Sequence, residues 1–148
     1  MGLSIRTHPM AIERSLILLK PDCLKGGHAG EAIGRFEKAG FTLRGAKMIQ
    51  LTDEILSEHY AHLIDQPFFP EIVEFMKSTP VFALILEGED AVAGIRGLLG
   101  PTDSTQAPAG TIRGDMGTTS MENICHASDS VENAQIEIAR FFDEGEVF

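Results

Sequence analysis

Residues 15–22 read Ser-Leu-Ile-Leu-Leu-Lys-Pro-Asp, and the fold follows from how this stretch is placed. The apolar run is nearly continuous rather than alternating, the pattern of a strand buried on both faces. Lys20-Pro21-Asp22 ends it, and Gly26-Gly27 marks a turn. Beyond the turn, Ala29, Ala32, Ile33, Phe36 and Ala39 recur at helical spacing, with Gly40 as a C-terminal stop. Phe41 to Leu51 reads as a second strand. Thr52 can cap a helix that has Asp53 and Glu54 in its first turn and Ile55, Leu56, His59, Tyr60 and Leu63 on its apolar side. Pro67 breaks that pattern, and Pro70 to Lys77 starts another helix. Val81 to Leu86 is the clearest third strand, and Asp90 to Leu99 is helical.

Residues 100–121 are rich in Gly, Pro, Ser and Thr and show no period. A loop this long in a compact domain is uncommon and often functional. A short strand, Asn123 to His126, follows it. Ser130 can cap a last helix with Val131, Ala134, Ile138 and Phe141 on its inner face. With the helical hairpin near 52–77 set aside as an insertion, the order is β-α-β-β-α-β-α. That order predicts an α+β, ferredoxin-like (split βαβ) fold: a four-stranded antiparallel sheet covered by helices. Residues 1–9 read as a loose N-terminal extension and 10–148 as a single domain.

Bulk properties narrow the functions. The 148 residues suit one domain, and no apolar run approaches the length of a membrane-spanning helix. The net charge of −10 argues against nucleic acid as a main partner, because phosphate backbones are held by Lys and Arg. A small anionic ligand would need local positive charge, so the few basic residues are informative. The two cysteines, Cys23 and Cys125, read as reduced thiols of a cytoplasmic protein. There is no GxxxxGK[ST] loop, no GxGxxG following a strand and no Cys/His pair at zinc-site spacing.

Among the five histidines, His126 has the best company. It sits at the end of the last short strand, beside Ser128, Asp129 and Ser130. Imidazole suits phosphoryl carriage, because near neutral pH one ring nitrogen has a free lone pair while an acceptor can hold the other. Glu137, in the following helix, is a candidate acceptor. Lys20, Arg96 and Arg113 flank strand ends or the long loop and could neutralise a phosphoryl group.

Together, LLKPD (18–22), HY-x₆-PFF (59–69), GTIRGD (110–115) and N-x-x-H-x-SDS (123–130) resemble the nucleoside diphosphate kinase family from about Ile12 onward. The resemblance implies transfer of the γ-phosphate of ATP and other nucleoside triphosphates to nucleoside diphosphates. It implies His126 as the phosphorylated nucleophile, Glu137 holding its second nitrogen and Ser128 supporting Glu137. Lys20, Arg96 and Arg113 would contact phosphates, with Thr102 and Tyr60 near the transferring group. Asn123 and Lys20 would bind the ribose side, and Phe68 would stack on the base. Mg²⁺ would come with the nucleotide, with no metal site of the protein's own, and the chain would form a homo-oligomer, tetramer or hexamer. Three positions depart from the family pattern: Ala127 where Gly is usual, Ser104 where Pro is usual, and Ser120 where an apolar residue often covers the base.

Overall fold

The computed structural model describes residues 11–148; the extension assigned to residues 1–9 lies outside them. The opening apolar run forms the end of β1 (Ile12–Leu19). Leu16, Ile17, Leu18 and Leu19 are all fully buried. Their side chains alternate between two cores, as the period of a strand requires. Ile17 and Leu19 enter one core, Leu16 and Leu18 the other. Burying each such side chain stabilises the fold by roughly 1.5–3 kcal/mol, which is why the run has no polar alternation.

Pro21 starts a short helix, α1 (Pro21–Lys25), that the sequence pattern did not reveal. Proline at a first helical position loses no hydrogen bond and already has the required φ. After α2 (Ala29–Lys38) come β2 (Thr42–Ile49), α3 (Asp53–His59) and α4 (Phe69–Lys77). Then follow β3 (Val81–Glu89), α5 (Ala91–Leu99), α6 (Ile112–Met116), β4 (Cys125–Ala127) and α7 (Val131–Phe141). The strands form one antiparallel sheet in the order β2-β3-β1-β4, the ferredoxin-like arrangement expected from the element order. Phe36 of α2 and Ile95 of α5 pack on one face of the sheet. Leu56 of α3, Met76 of α4 and Phe141 of α7 pack on the other. The inserted hairpin therefore supplies two of these three helices of the second cover.

Three local expectations need correction. The 100–121 stretch is not uniformly irregular: it holds a 3₁₀ turn (Ser104–Gln106) and α6, each capped by a side chain, Asp103 and Thr111 respectively. Caps hidden in a Gly/Pro-rich composition leave no hydrophobic period to detect. The last strand begins at Cys125 rather than Asn123, because Ile124 has φ +77° and breaks the extended run. Val131 is 41% exposed rather than on the inner face of α7; as the first helical residue it precedes the turns that pack on the sheet.

Ser104 is 6% exposed, and its hydroxyl has no hydrogen-bond partner among the described residues. Gly117 packs so closely on that oxygen that a Cβ there would collide with it. A buried hydroxyl without a partner destabilises. Ser104→Ala is therefore expected to gain about 1 kcal/mol, seen as a higher urea midpoint with an unchanged slope. A lower midpoint would show that the hydroxyl has a partner in solution.

Candidate active site

The pleat of β4 sets the site. Cys125 and Ala127 point into the core shared with α2 and α5. His126 lies opposite Leu18 of β1 and points the other way, beneath α3 and α7. It is thus the middle residue of a three-residue strand, not its end. The midpoint holds the ring more firmly, since Ile17, Leu18 and Leu19 pair with all three residues.

Glu137, on the second turn of α7, reaches back so that its Oε1 lies 2.8 Å from His126 Nε2. The same oxygen accepts a bond from Ser128 Oγ at 2.7 Å. Ser128 is fully buried and tied to β1, where Leu16 N–H donates to its Oγ at 3.0 Å. Burial alone would raise the Glu137 carboxyl. The bond from His126, its charge and the bond from Ser128 outweigh that and leave the group below the usual carboxylate range. An ionised Glu137 can only accept, so the proton of a neutral His126 is assigned to Nε2. Its Nδ1 then carries the lone pair.

His126 opens on a cleft of about 850 Å³. Lys20, Tyr60, Phe68, Arg96, Thr102, Arg113, Asn123 and Glu137 line the same cleft. Of the site residues expected from sequence, only Ser128 lies behind the lining, where it braces Glu137.

Lys20 follows β1 directly and is 7% exposed. Its Nζ donates to Met121 O at 2.5 Å and to Asn123 Oδ1 at 2.8 Å, and stands 5.5 Å from the centre of the Phe75 ring. Burial lowers this ammonium to about 8, with Asp22 opposing the shift and Arg113 adding to it. Asn123 Nδ2 in turn donates to Thr102 O at 3.0 Å, so Lys20, Asn123 and Thr102 form one chain of bonds. Phe68, 45% exposed, stands at the mouth on the hairpin. Tyr60 is packed edge-on to His59, and burial raises its hydroxyl to about 12. Arg96, exposed on α5, touches Ala127 O at 3.4 Å.

Arg113 has a task that its sequence position did not suggest. Its Nε, Nη1 and Nη2 donate to the carbonyls of Asn123 (3.1 Å), Gly100 (3.0 Å) and Cys125 (2.8 Å). It grips the backbone on both sides of Ile124. Three of the five guanidinium N–H groups are used in this way, so two remain for a ligand.

Sequence reasoning passed over two residues of the cleft. His59 was counted as part of an apolar helix face, and Arg140 was not singled out. Arg140 could have been found: it stands three positions after Glu137 and therefore shares its helix face.

A split βαβ sheet that presents one imidazole, braced by a carboxylate, to a cleft lined with cations defines an α+β domain built for histidine chemistry on an anionic ligand. The model of the family described as nucleoside diphosphate kinase matches residues 13–147, and the chain belongs to that family. It is 50% identical over 137 residues to a nucleoside diphosphate kinase of Parabacteroides distasonis, covering 93% of this chain and 90% of that one. To one of Bacillus cereus it is 47% identical over 136 residues, 92% of each chain. Among solved structures, that of the Aquifex aeolicus enzyme superposes with a TM-score of 0.89 at 44% identity, covering 93% of this chain and 100% of that one. The Halobacterium salinarum enzyme, solved in complex with CDP, gives 0.90 at 40% identity, covering 93% and 92%.

Proposed function

We infer that the protein moves the γ-phosphate of a nucleoside triphosphate to a nucleoside diphosphate by a ping-pong route through a phosphohistidine at His126. The observation that carries this is the bond between Glu137 and His126 Nε2. It leaves Nδ1 as the nucleophile. Nδ1 attacks the γ-phosphorus as the bond to the bridging oxygen breaks, and the diphosphate departs with that electron pair. The ring keeps its Nε2 proton, and the cationic character it gains is held by the carboxylate. A second diphosphate reverses the step.

Lys20, Arg96 and the two uncommitted N–H groups of Arg113 are placed to neutralise the phosphates. Thr102 and Tyr60 stand near the transferring group, and Asn123 with Lys20 serves the ribose side. Phe68 offers a π-face to any base, which supports broad base acceptance. Mg²⁺ would supply further charge neutralisation on the phosphates. Among the described residues, the lining carries Lys20, Arg96, Arg113 and Arg140 against the carboxylates of Glu71, Asp129 and Glu137, and Glu137 is already engaged by His126 and Ser128, which supports an ion carried by the nucleotide rather than by the protein.

Self-association, as a tetramer or hexamer, belongs to this proposal. The outer edge of β2 is unpaired among the described residues, and Met48 on that strand is 58% exposed. No helix among the described residues is long and apolar enough to cross a membrane. The two buried free thiols support a cytoplasmic setting.

Brief incubation with ATP labelled in its γ-phosphate is expected to give an acid-labile phosphoprotein. Adding unlabelled GDP, CDP or UDP in turn should discharge it into the matching triphosphate. Saturable nucleotide binding without label would reduce the protein to a binding module and sink this function.

A further inference from the structure

Beside the His126–Glu137 pair stands a second imidazole to which the mechanism gives no task. His59 ends α3, is 8% exposed, and meets His126 edge-on with ring centres 4.7 Å apart and planes at 80°. Tyr60 and Phe141 complete its surroundings at 4.9 and 5.1 Å. Nitrogens of the two histidines and a carboxylate oxygen of Glu137 lie within 4.8 Å of one another. Two imidazoles this close can compete for one carboxylate. If His59 were charged, it would draw Glu137 away from Nε2 of His126 and oppose the positive charge that the phosphorylated ring acquires.

Arg140 bears on that competition. Its Nη1 lies 2.8 Å from His59 Nδ1. Its Nε lies 3.2 Å from Glu58 Oε1, a charge pair without hydrogen-bond alignment. The Arg140 side chain is 12% exposed, so solvent does not readily replace its contact with His59. A guanidinium only donates and stays charged across the working pH range. Nδ1 of His59 must therefore accept, which leaves the ring neutral with its proton on Nε2.

We propose that Arg140 is a positioning residue which, by donating to His59 Nδ1, holds His59 neutral in one tautomer and so reserves Glu137 for His126. The same bond takes the lone pair that Nδ1 of a neutral His59 would offer a cation, so the three residues are not arranged as a metal centre. The other charged and titratable groups around His59 work with this lock, apart from Glu137. Burial lowers the ring most, the neighbouring His126 lowers it further, Glu137 opposes, and Arg140 and His62 add to the lowering, to about 3. Glu58, on the same helix as His59, faces Arg140 rather than the ring.

The proposal rests on His126 as the phosphorylated residue, but its first test does not depend on turnover. Nitrogen-15 NMR of the full chain with labelled histidine is expected to show His59 as the Nε2–H tautomer, unchanged from pH 8 to pH 5. An Nδ1–H signal, or titration of His59 within that range, would overturn the proposal. In Arg140→Leu, His59 is expected to show both tautomers and to titrate. The acid limb of kcat should then steepen from about tenfold per pH unit towards about a hundredfold, because a second proton now disables the site. Arg140→Lys, which keeps a charged donor, should restore the shallow limb. A folded Arg140→Leu with an unchanged tautomer and limb would refute the lock. If that variant does not fold, the wild-type spectrum decides alone. Absence of a phosphoenzyme in the wild type would instead refute the assigned function and leave the tautomer result standing.

Discussion

His126→Ala is expected to take up no label from γ-labelled ATP and to lose at least about 10⁴-fold in turnover, since removing a covalent nucleophile leaves only binding and electrostatics to act. The loss should be chemical rather than structural. The backbone of residue 126 stays paired with Leu18, and Glu137 keeps its bond from Ser128. Nucleotide affinity, which the proposed function assigns to Lys20, Arg96, Arg113 and Phe68, should change little. Equilibrium binding and a urea unfolding curve would verify this on the same sample. His59→Ala is the sharper control: its ring is 4.7 Å from that of His126, yet it should retain the phosphoprotein. Label on His126→Ala, or none on His59→Ala, would move the nucleophile elsewhere.

Arg113→Ala is expected to destabilise the fold by about 3–5 kcal/mol, beyond any effect on nucleotide binding. The three carbonyls it holds, on Asn123, Gly100 and Cys125, lose their guanidinium donors together. A buried polar group left without a donor costs about 1–3 kcal/mol; the Asn123 carbonyl keeps its bond from Cys125 N–H at 3.0 Å, and this with access of water to the vacated space sets the lower end of the range. A second cost is local. Ile124, a β-branched residue, is held at φ +77°, a conformation worth roughly 1–3 kcal/mol of strain when its surroundings impose it. Asp22 Oδ2 accepts from Ile124 N–H at 3.0 Å, and Ile124 O accepts from Lys20 N–H at 2.8 Å. Without Arg113, these two bonds and the pairing of the strand with β1 are left to oppose relaxation at Ile124. Arg113→Lys should recover little, because a single ammonium cannot span three carbonyls as a planar fork does. Urea unfolding monitored by circular dichroism gives the number. A loss below about 1 kcal/mol would mean that Arg113 serves the ligand and not the backbone.

Much of this architecture is legible in the sequence because burial leaves a period. The run 16–19 announced a strand buried on both faces, and the 3.6-residue patterns placed α2, α4, α5 and α7. The features that escaped are those without a period. α6 and the 3₁₀ turn at 104–106 are set by caps on Asp103 and Thr111. The start of β4 is set by one strained residue, Ile124, whose side chain gives no hint of a positive φ. For the site, residue types and family spacing picked the lining of one cleft. They did not divide the labour: Arg113 as backbone clamp exists only once α6 meets the backbone entering β4, and the pairing of His59 with Arg140 only once α3 meets α7. Distances of this kind depend on tertiary register, which no local pattern encodes.

The alternation of β4 also bears on chemoselectivity. Cys125 is the immediate neighbour of His126, and a thiolate is in general a strong nucleophile. In an extended strand, adjacent residues face opposite ways, so Cys125 lies wholly buried in the far core, where lack of solvent raises its thiol to about 12. Cys23 is likewise buried and raised to about 12. The pleat thus works as a filter. It turns the imidazole towards the cleft and the neighbouring thiol into the core, so that an incoming phosphoryl donor meets nitrogen before sulfur.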